Sequence, residues 1–352
     1  MKYNFDQIIS RRETHSTKWL KFSDAEIIPM WIADMDFVCP SEITKPMIQR
    51  IDEGVFGYTD TPQSLTDTFI EKTKNNTGWQ IDKDWVVWVP GGVVGLNVAC
   101  KTVLAPGDMA MVPSPIYAPF TEAPENMERG FVKTYLKDSN GRLEFDFDEI
   151  GTLLSEDIKL LFLCNPHNPG GSVFSQEELI ELSRLCEENG VIVCSDEIHS
   201  DLVLEEGHKH IPFATINKHN QENSITIMGP CKTYNLAGFP IAAAIIPNKE
   251  IREDFIRNTK GIVSHIDNLA FVAAERAYSD ADEWRAQLIQ YLQANKNLLL
   301  ERVNKVEGLS LKGPEAGFLA WIDCRNTGLD SPADFFIQEA KVEIDSLTAK
   351  IL

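Results

Sequence analysis

The chain is short of positive charge. Its 352 residues carry 33 Lys and Arg against 53 Asp and Glu, a formal net charge of −20. Nucleic-acid phosphates are gripped by clustered Lys and Arg, so this balance argues against nucleic acid as a partner, and equally against an anionic membrane surface. The acidic residues form no long block and read as a solubilising surface. No apolar run approaches the roughly 20 residues of a membrane span. The opening Met1-Lys-Tyr-Asn-Phe-Asp6 lacks the apolar core of a signal peptide. The seven cysteines include no Cys-x-x-Cys pair, and Cys164 and Cys194 sit inside apolar runs, where a thiol behaves as a small hydrophobe. A reduced, cytoplasmic protein of enzyme size is the expectation.

Several motifs are missing as well. There is no internal repeat, no Gly-x-Gly-x-x-Gly, no Gly-Lys-Ser/Thr and no Gly-x-Ser-x-Gly. Dinucleotide fingerprint, P-loop and serine-hydrolase elbow therefore have no support. His199, His208 and His210 have no acidic or Cys residue at a ligand spacing, and Glu205-Glu-Gly-His-Lys-His210 reads as an exposed turn, so no metal is expected.

Hydrophobic residues make up 43% of the chain, ample for a sizeable core in one large domain or two ordinary ones. Three apolar runs end on different polar groups. Leu160–Cys164 leads into Asn165-Pro-His-Asn168, Val191–Cys194 into Ser195-Asp196, and Ile225–Met228 into Gly229-Pro-Cys-Lys232. Between the first two, Ser175-Gln-Glu-Glu178 reads as a capping box that opens a helix closed by Gly190. Strand, helix, strand at this spacing predicts a parallel crossover, with ligands beyond the carboxyl ends of the strands.

Upstream, residues 85–89 read as a strand, Pro90-Gly-Gly92 as a turn, Val93 to Leu104 as a helix and Met109–Val112 as a buried strand. Residues 250–308 read as mostly helical, with a long helix from about Asp282 to Val306. Gly317–Asp323 alternates like a strand. The fold class expected is α/β: a mostly parallel central sheet flanked by helices, with a smaller α/β domain. The large domain is placed at 46–275 and the small one at 1–45 plus 276–352.

Each polar residue has an ordinary explanation. Asp196 suits a helix N-cap or a buried salt bridge, Lys232 a solvated surface, and Tyr117 a half-buried aromatic. Gly turns before helices, as at Gly91-Gly92, are common. Taken together, an amine, an acid suited to a ring cation, an amide and a helix start with free N–H groups are the parts that pyridoxal phosphate requires. Tyr117 then suits stacking on a planar ring.

These segments resemble fold-type I pyridoxal-phosphate enzymes of aminotransferase class I/II, and within them the MalY/PatB group of cystathionine β-lyases. The resemblance rests on Trp31-Ile-Ala-Asp-Met-Asp-Phe37, Val55-Phe-Gly-Tyr58, Asn165-Pro-His-Asn-Pro-Gly-Gly171, Ser195-Asp-Glu-Ile-His199 and Lys232-Thr-Tyr-Asn-Leu-Ala-Gly238. It implies that pyridoxal 5′-phosphate is held by Lys232 as a Schiff base, with Asp196 at the ring nitrogen and Asn168 at the ring hydroxyl. His199 stands where aminotransferases usually have Tyr. Tyr117 would stack on the ring, Gly92 and Val93 would offer N–H groups to the phosphate, and residues near Ala33 and Asp34 would border the substrate. Tyr58 would reach the phosphate of a neighbouring subunit, giving a homodimer with shared active sites.

Two departures follow from the same resemblance. Many members carry Ser or Thr three residues before the Lys, where this chain has Gly229, leaving only its backbone to help. The family's substrate-carboxylate Arg lies near the end of the chain, whereas the last arginine here is Arg325 and Lys341–Leu352 does not resemble the family's continuation. The implied activity is C–S β-elimination from L-cystathionine or a related S-substituted cysteine, giving a thiol, pyruvate and ammonia. The alternatives are an aminotransferase on the same site and a catalytically impaired cofactor-binding protein.

Overall fold

The computed structural model describes residues 2–154 and 157–343; the final segment, 344–352, lies outside them. In chain order the strands are β1 (Ile28–Pro29), β2 (Val86–Val89), β3 (Met109–Ser114), β4 (Gly130–Tyr135), β5 (Lys137–Ser139), β6 (Arg142–Glu144), β7 (Ile158–Cys164), β8 (Ile192–Asp196), β9 (Ser224–Met228), β10 (Ala242–Ile245) and β11 (Val342–Glu343). Seven of them form the central sheet, in the order β2-β10-β9-β8-β7-β3-β4. β4, β3, β7, β8 and β9 run parallel, while β10 is antiparallel to both β9 and β2. The expected α/β class is what the chain forms.

The apolar runs follow from burial on both faces. Leu160, Phe162 and Cys164 of β7 join one core cluster and Leu161 and Leu163 the other, the period-2 alternation of a strand with no solvent face. The crossover helix Gln176–Asn189 starts at Ser175, whose side chain accepts from Glu178 N while Glu178 reaches back to Ser175 N. It stops at Gly190, where φ is +65°. Trp85 belongs to a 3-10 turn, so β2 begins one residue later than the sequence suggests. The following helix spans Gly92–Val103, and the strand predicted at Met109 continues to Ser114.

The helical 250–308 region resolves into Lys249–Thr259, Asn268–Asp280 and Asp282–Val303. Met35, Ile43 and Met47 of the N-terminal arm pack with Tyr234, Leu236, Trp284 and Leu288 in a third cluster. The arm also pairs with the far end of the chain, β1 lying parallel to β11 with Ile28 opposite Val342. One expectation fails here. Residues 317–323 form no strand; among the described residues the only pairing in this stretch is a single bridge from Ser310 to Asp323. Alternating side chains do not make a strand without a neighbour to complete the ladder.

Candidate active site

β7, β8 and β9 are neighbours in the sheet and end at one edge. Cys164 is in register with Asp196, and Asp196 with Ile227, so the three following loops emerge side by side. The backbone ties them together: Asn165 N donates to Asp196 O at 3.0 Å, and Tyr117 N to Asn168 O at 3.2 Å. Asn168, Asp196, Tyr117 and the Lys232 loop are thus brought to one place.

Asp196 does not show either of its ordinary explanations in full. Among the described residues it has no ion pair, and its one side-chain bond is an Asx-type turn, Ile198 N donating to Oδ1 at 3.0 Å. Burial raises its carboxyl to about 6, and neither that N–H nor the more distant Lys232 offsets the cost. A protonated ring nitrogen would.

Lys232 is half-buried. Its Nζ donates to Ala33 O at 2.8 Å. Burial lowers its pKa below that of an ordinary lysine, against opposing pulls from Cys231, Asp196 and Asp34. Ala33 reaches it because the arm is pinned on both sides. On one side Arg11 bridges Asp34 and Asp36, each at 2.7 Å, and Lys18 holds Asp36 at 2.7 Å. On the other, Asn235, held at φ +57°, accepts from Met35 N at 3.2 Å and donates to Phe37 O at 2.8 Å. Asp34 Oδ1 is buried and takes no hydrogen bond among the described residues, with Lys18 Nζ 3.9 Å away.

The helix Gly92–Val103 opens onto this edge behind Gly91, whose φ is +98°. Its first N–H groups have no intrahelical acceptor and, with the helix dipole, make an anion cradle. A Cβ at Gly92 would collide with Ile198 Cδ1. Ile198 therefore closes the cradle wall with its side chain while its N–H fixes Asp196. At Gly229 a Cβ would lie 2.9 Å from Ile241 O, just before β10, so the packing leaves no room for the Ser or Thr of the resemblance.

His199 is buried, its Nδ1 has no hydrogen-bond partner among the described residues, and burial, reinforced by Lys232, lowers its pKa to about 3. It is a neutral ring beside the site, edge-on to Phe318. His210 corrects an expectation: it is buried, not part of an exposed turn. Its Nε2 lies 2.6 Å from Glu197 Oε2, while Glu197 Oε1 accepts from Ser195 Oγ and Phe213 N. The sequence hides this pair because Glu197 is 13 residues away from a run of charges that reads as solvated. Tyr58 stands apart from the other candidates. It is 98% exposed, with its ring 5.8 Å from that of His265. Arg325 forks onto Asp323 and Asp138 at the surface.

The residues fit pyridoxal phosphate on their own chemistry. The costly Asp196 carboxylate lacks a cation, the enclosed Lys232 amine is nucleophilic for an ordinary reason of burial, and the glycine-walled helix start suits a phosphate.

The family described as aminotransferase class I and II matches residues 26–348. The chain is 38% identical to cystathionine β-lyase PatB of Bacillus subtilis (strain 168) over 336 residues, 93% of this chain and 86% of that protein. The crystal structure of OvoB superposes with a TM-score of 0.94 at 41% identity, covering 97% of this chain and 90% of that one. The pyridoxal-phosphate-bound C–S lyase from Staphylococcus hominis superposes with a TM-score of 0.89 at 33% identity, covering 97% and 88%.

Proposed function

Because the chain belongs to the aminotransferase class I and II family, we propose that it is a pyridoxal-phosphate-dependent C–S β-lyase. Its substrate is L-cystathionine or a similar S-substituted cysteine, and with water it yields a thiol, pyruvate and ammonia. The observation that carries the chemistry is the half-buried Lys232 amine on the same sheet edge as the uncompensated Asp196 carboxylate. The similarity to proteins named cystathionine β-lyase and C–S lyase supports elimination as the reaction.

When bound, the cofactor supplies a carbonyl that captures amines and a ring that takes up the electron pair left at the substrate Cα. This chain does the rest. Asp196 would keep a proton on the ring nitrogen, and Asn168 would donate to the ring oxygen. Gly92 and Val93 would offer N–H groups to the phosphate, Gly229 adding only backbone, and Tyr117 would cover a ring face. His199, neutral and edge-on to Phe318, fills the wall without adding charge. With the cofactor bound and its amine free, Lys232 Nζ would take the substrate Cα proton, and burial, which lowers its pKa below that of an ordinary lysine, favours the neutral amine this step needs. Ala33 O accepts from the protonated amine, and the Ala33–Asp34 backbone borders the substrate. Loss of that proton lets the thiolate leave from Cβ.

Tyr58 serves a neighbouring subunit in this reading, which makes the working form a homodimer. Its near-complete exposure and the apolar residues around it support the assignment.

Purified protein loaded with cofactor is expected to release pyruvate from cystathionine in step with free thiol. Lys232→Ala should abolish turnover by about a thousandfold or more and leave no cofactor fixed to the chain after borohydride reduction. A 2-oxo acid that retains its thioether would instead assign an aminotransferase. Full activity in Lys232→Ala would overturn the site.

A further inference from the structure

Asn235 lies in the loop that carries Lys232, and its side chain is spent entirely on the N-terminal arm. Its Oδ1 accepts from Met35 N and its Nδ2 donates to Phe37 O, the two bonds a neighbouring strand would make. The arm returns the contact two residues earlier, where Ala33 O accepts from Lys232 Nζ. A closed ring results: Lys232 to Ala33, along the arm to Met35 and Phe37, across to Asn235, and back along the loop to Lys232. The backbone at Asn235 is left-handed, φ +57°, a conformation Asn tolerates better than most residues and glycine better still.

We propose that Asn235 is a positioning residue for the reaction: by holding the arm in register with the lysine loop it sets the carbonyl that receives the Lys232 ammonium. Removing both side-chain bonds lets the arm drift. Ala33 O then no longer meets Nζ, and the charged amine loses its hydrogen-bond acceptor. The groups on other elements that bear on Lys232 remain in place, the Asp196 carboxylate, the Cys231 thiol and the His199 ring, while Asp34, next to Ala33 on the arm, moves with it and takes its favourable charge away as well. The pKa of free Lys232 therefore falls, by roughly one unit for one charge-assisted hydrogen bond.

The inference rests on Lys232 being the reactive amine, and one experiment separates the two. Competitive labelling of the full, cofactor-free chain with trace acetic anhydride across pH, read at the Lys232 peptide by mass spectrometry, gives that amine's own titration. Asn235→Gly keeps the backbone conformation and loses both bonds; Asn235→Ser keeps a hydroxyl for one of them. The expected result is a depressed Lys232 pKa in the parent, a further drop of about one unit in Asn235→Gly, and an intermediate value in Asn235→Ser. In cofactor-loaded enzyme the limb of the kcat–pH profile set by Lys232 should move down with it. An unchanged Lys232 titration in Asn235→Gly, even with a lower melting temperature, makes Asn235 merely structural and overturns the proposal. If that variant does not fold, Asn235→Ser decides in the same way. An ordinary lysine pKa in the parent chain would sink the reactive-amine reading itself.

Discussion

At the residue scale, Asp196 and His199 hold opposite claims on pH. Burial raises the Asp196 carboxyl to about 6, from 3.8 for a free aspartate. In the cofactor-free protein its contribution to stability is therefore complete below about pH 4 and lost as pH rises through 6. His199 is lowered to about 3 from 6.5, so its contribution is present above about 6.5 and lost as pH falls toward 3. Between about pH 4 and 6 the two slopes oppose one another. Asn at position 196 keeps an oxygen for Ile198 N and removes the buried charge. Asp196→Asn is expected to stabilise the cofactor-free chain at pH 7 by at most about 3 kcal/mol, the worth of about two pKa units. The rising slope from His199 would then show by itself in urea titrations at pH 4.5, 6 and 7.5. Turnover of the loaded variant should drop by about a hundredfold or more, since its ring nitrogen has lost its ionic partner. A variant less stable than the parent at pH 7 would mean that the carboxylate is not held at a cost.

At the element scale, the backbone just after β9 and that just before β10 approach so closely, at Gly229 and Ile241, that a Cβ meets a carbonyl oxygen. Gly229→Ser is expected to cost about 1–3 kcal/mol, because Ile241 O belongs to the backbone and the strand pair must part to make room. Urea unfolding measures this, and an unchanged midpoint would show that the pair opens freely. The same elements show what sequence can and cannot convey. β7, β8 and β9 were legible because a strand buried on both faces is a continuous apolar run, and the polar residue ending each run marks the sheet's edge. The capping box at Ser175 was legible because its bonds join residues three apart. The 317–323 segment misled because alternation says nothing about whether a neighbour exists. Ile198 and Asn235 went unassigned for a related reason. Their roles depend on Gly92, Met35 and Phe37, partners supplied by remote stretches of chain, and no local pattern encodes them.

At the scale of the whole molecule, apolar surface collects where residues 48–58 approach 262–265. Val55 is 72% and Ile262 73% exposed, Phe56 is exposed beside them, and Tyr58 links the two segments through His265. In a chain this acidic, such a face calls for a cover, and a second copy supplies it under the proposed function. Val55→Asp combined with Ile262→Asp is expected to yield a monomer by sedimentation equilibrium with unaltered far-UV circular dichroism. Its cofactor affinity should fall by tenfold or more, because Tyr58 no longer reaches a neighbour. A double variant that stays dimeric would place the interface elsewhere.

The contact between Ala33 and Lys232 joins residues 199 positions apart. At ordinary translation rates of about 5–20 residues per second, the arm leaves the ribosome roughly ten to forty seconds before the lysine it will meet. All the parallel strands of the sheet are made in that interval, so the first segment synthesised is among the last to find its place. The carboxyl edge of the nascent sheet stays open on the arm's side until Asn235 has emerged.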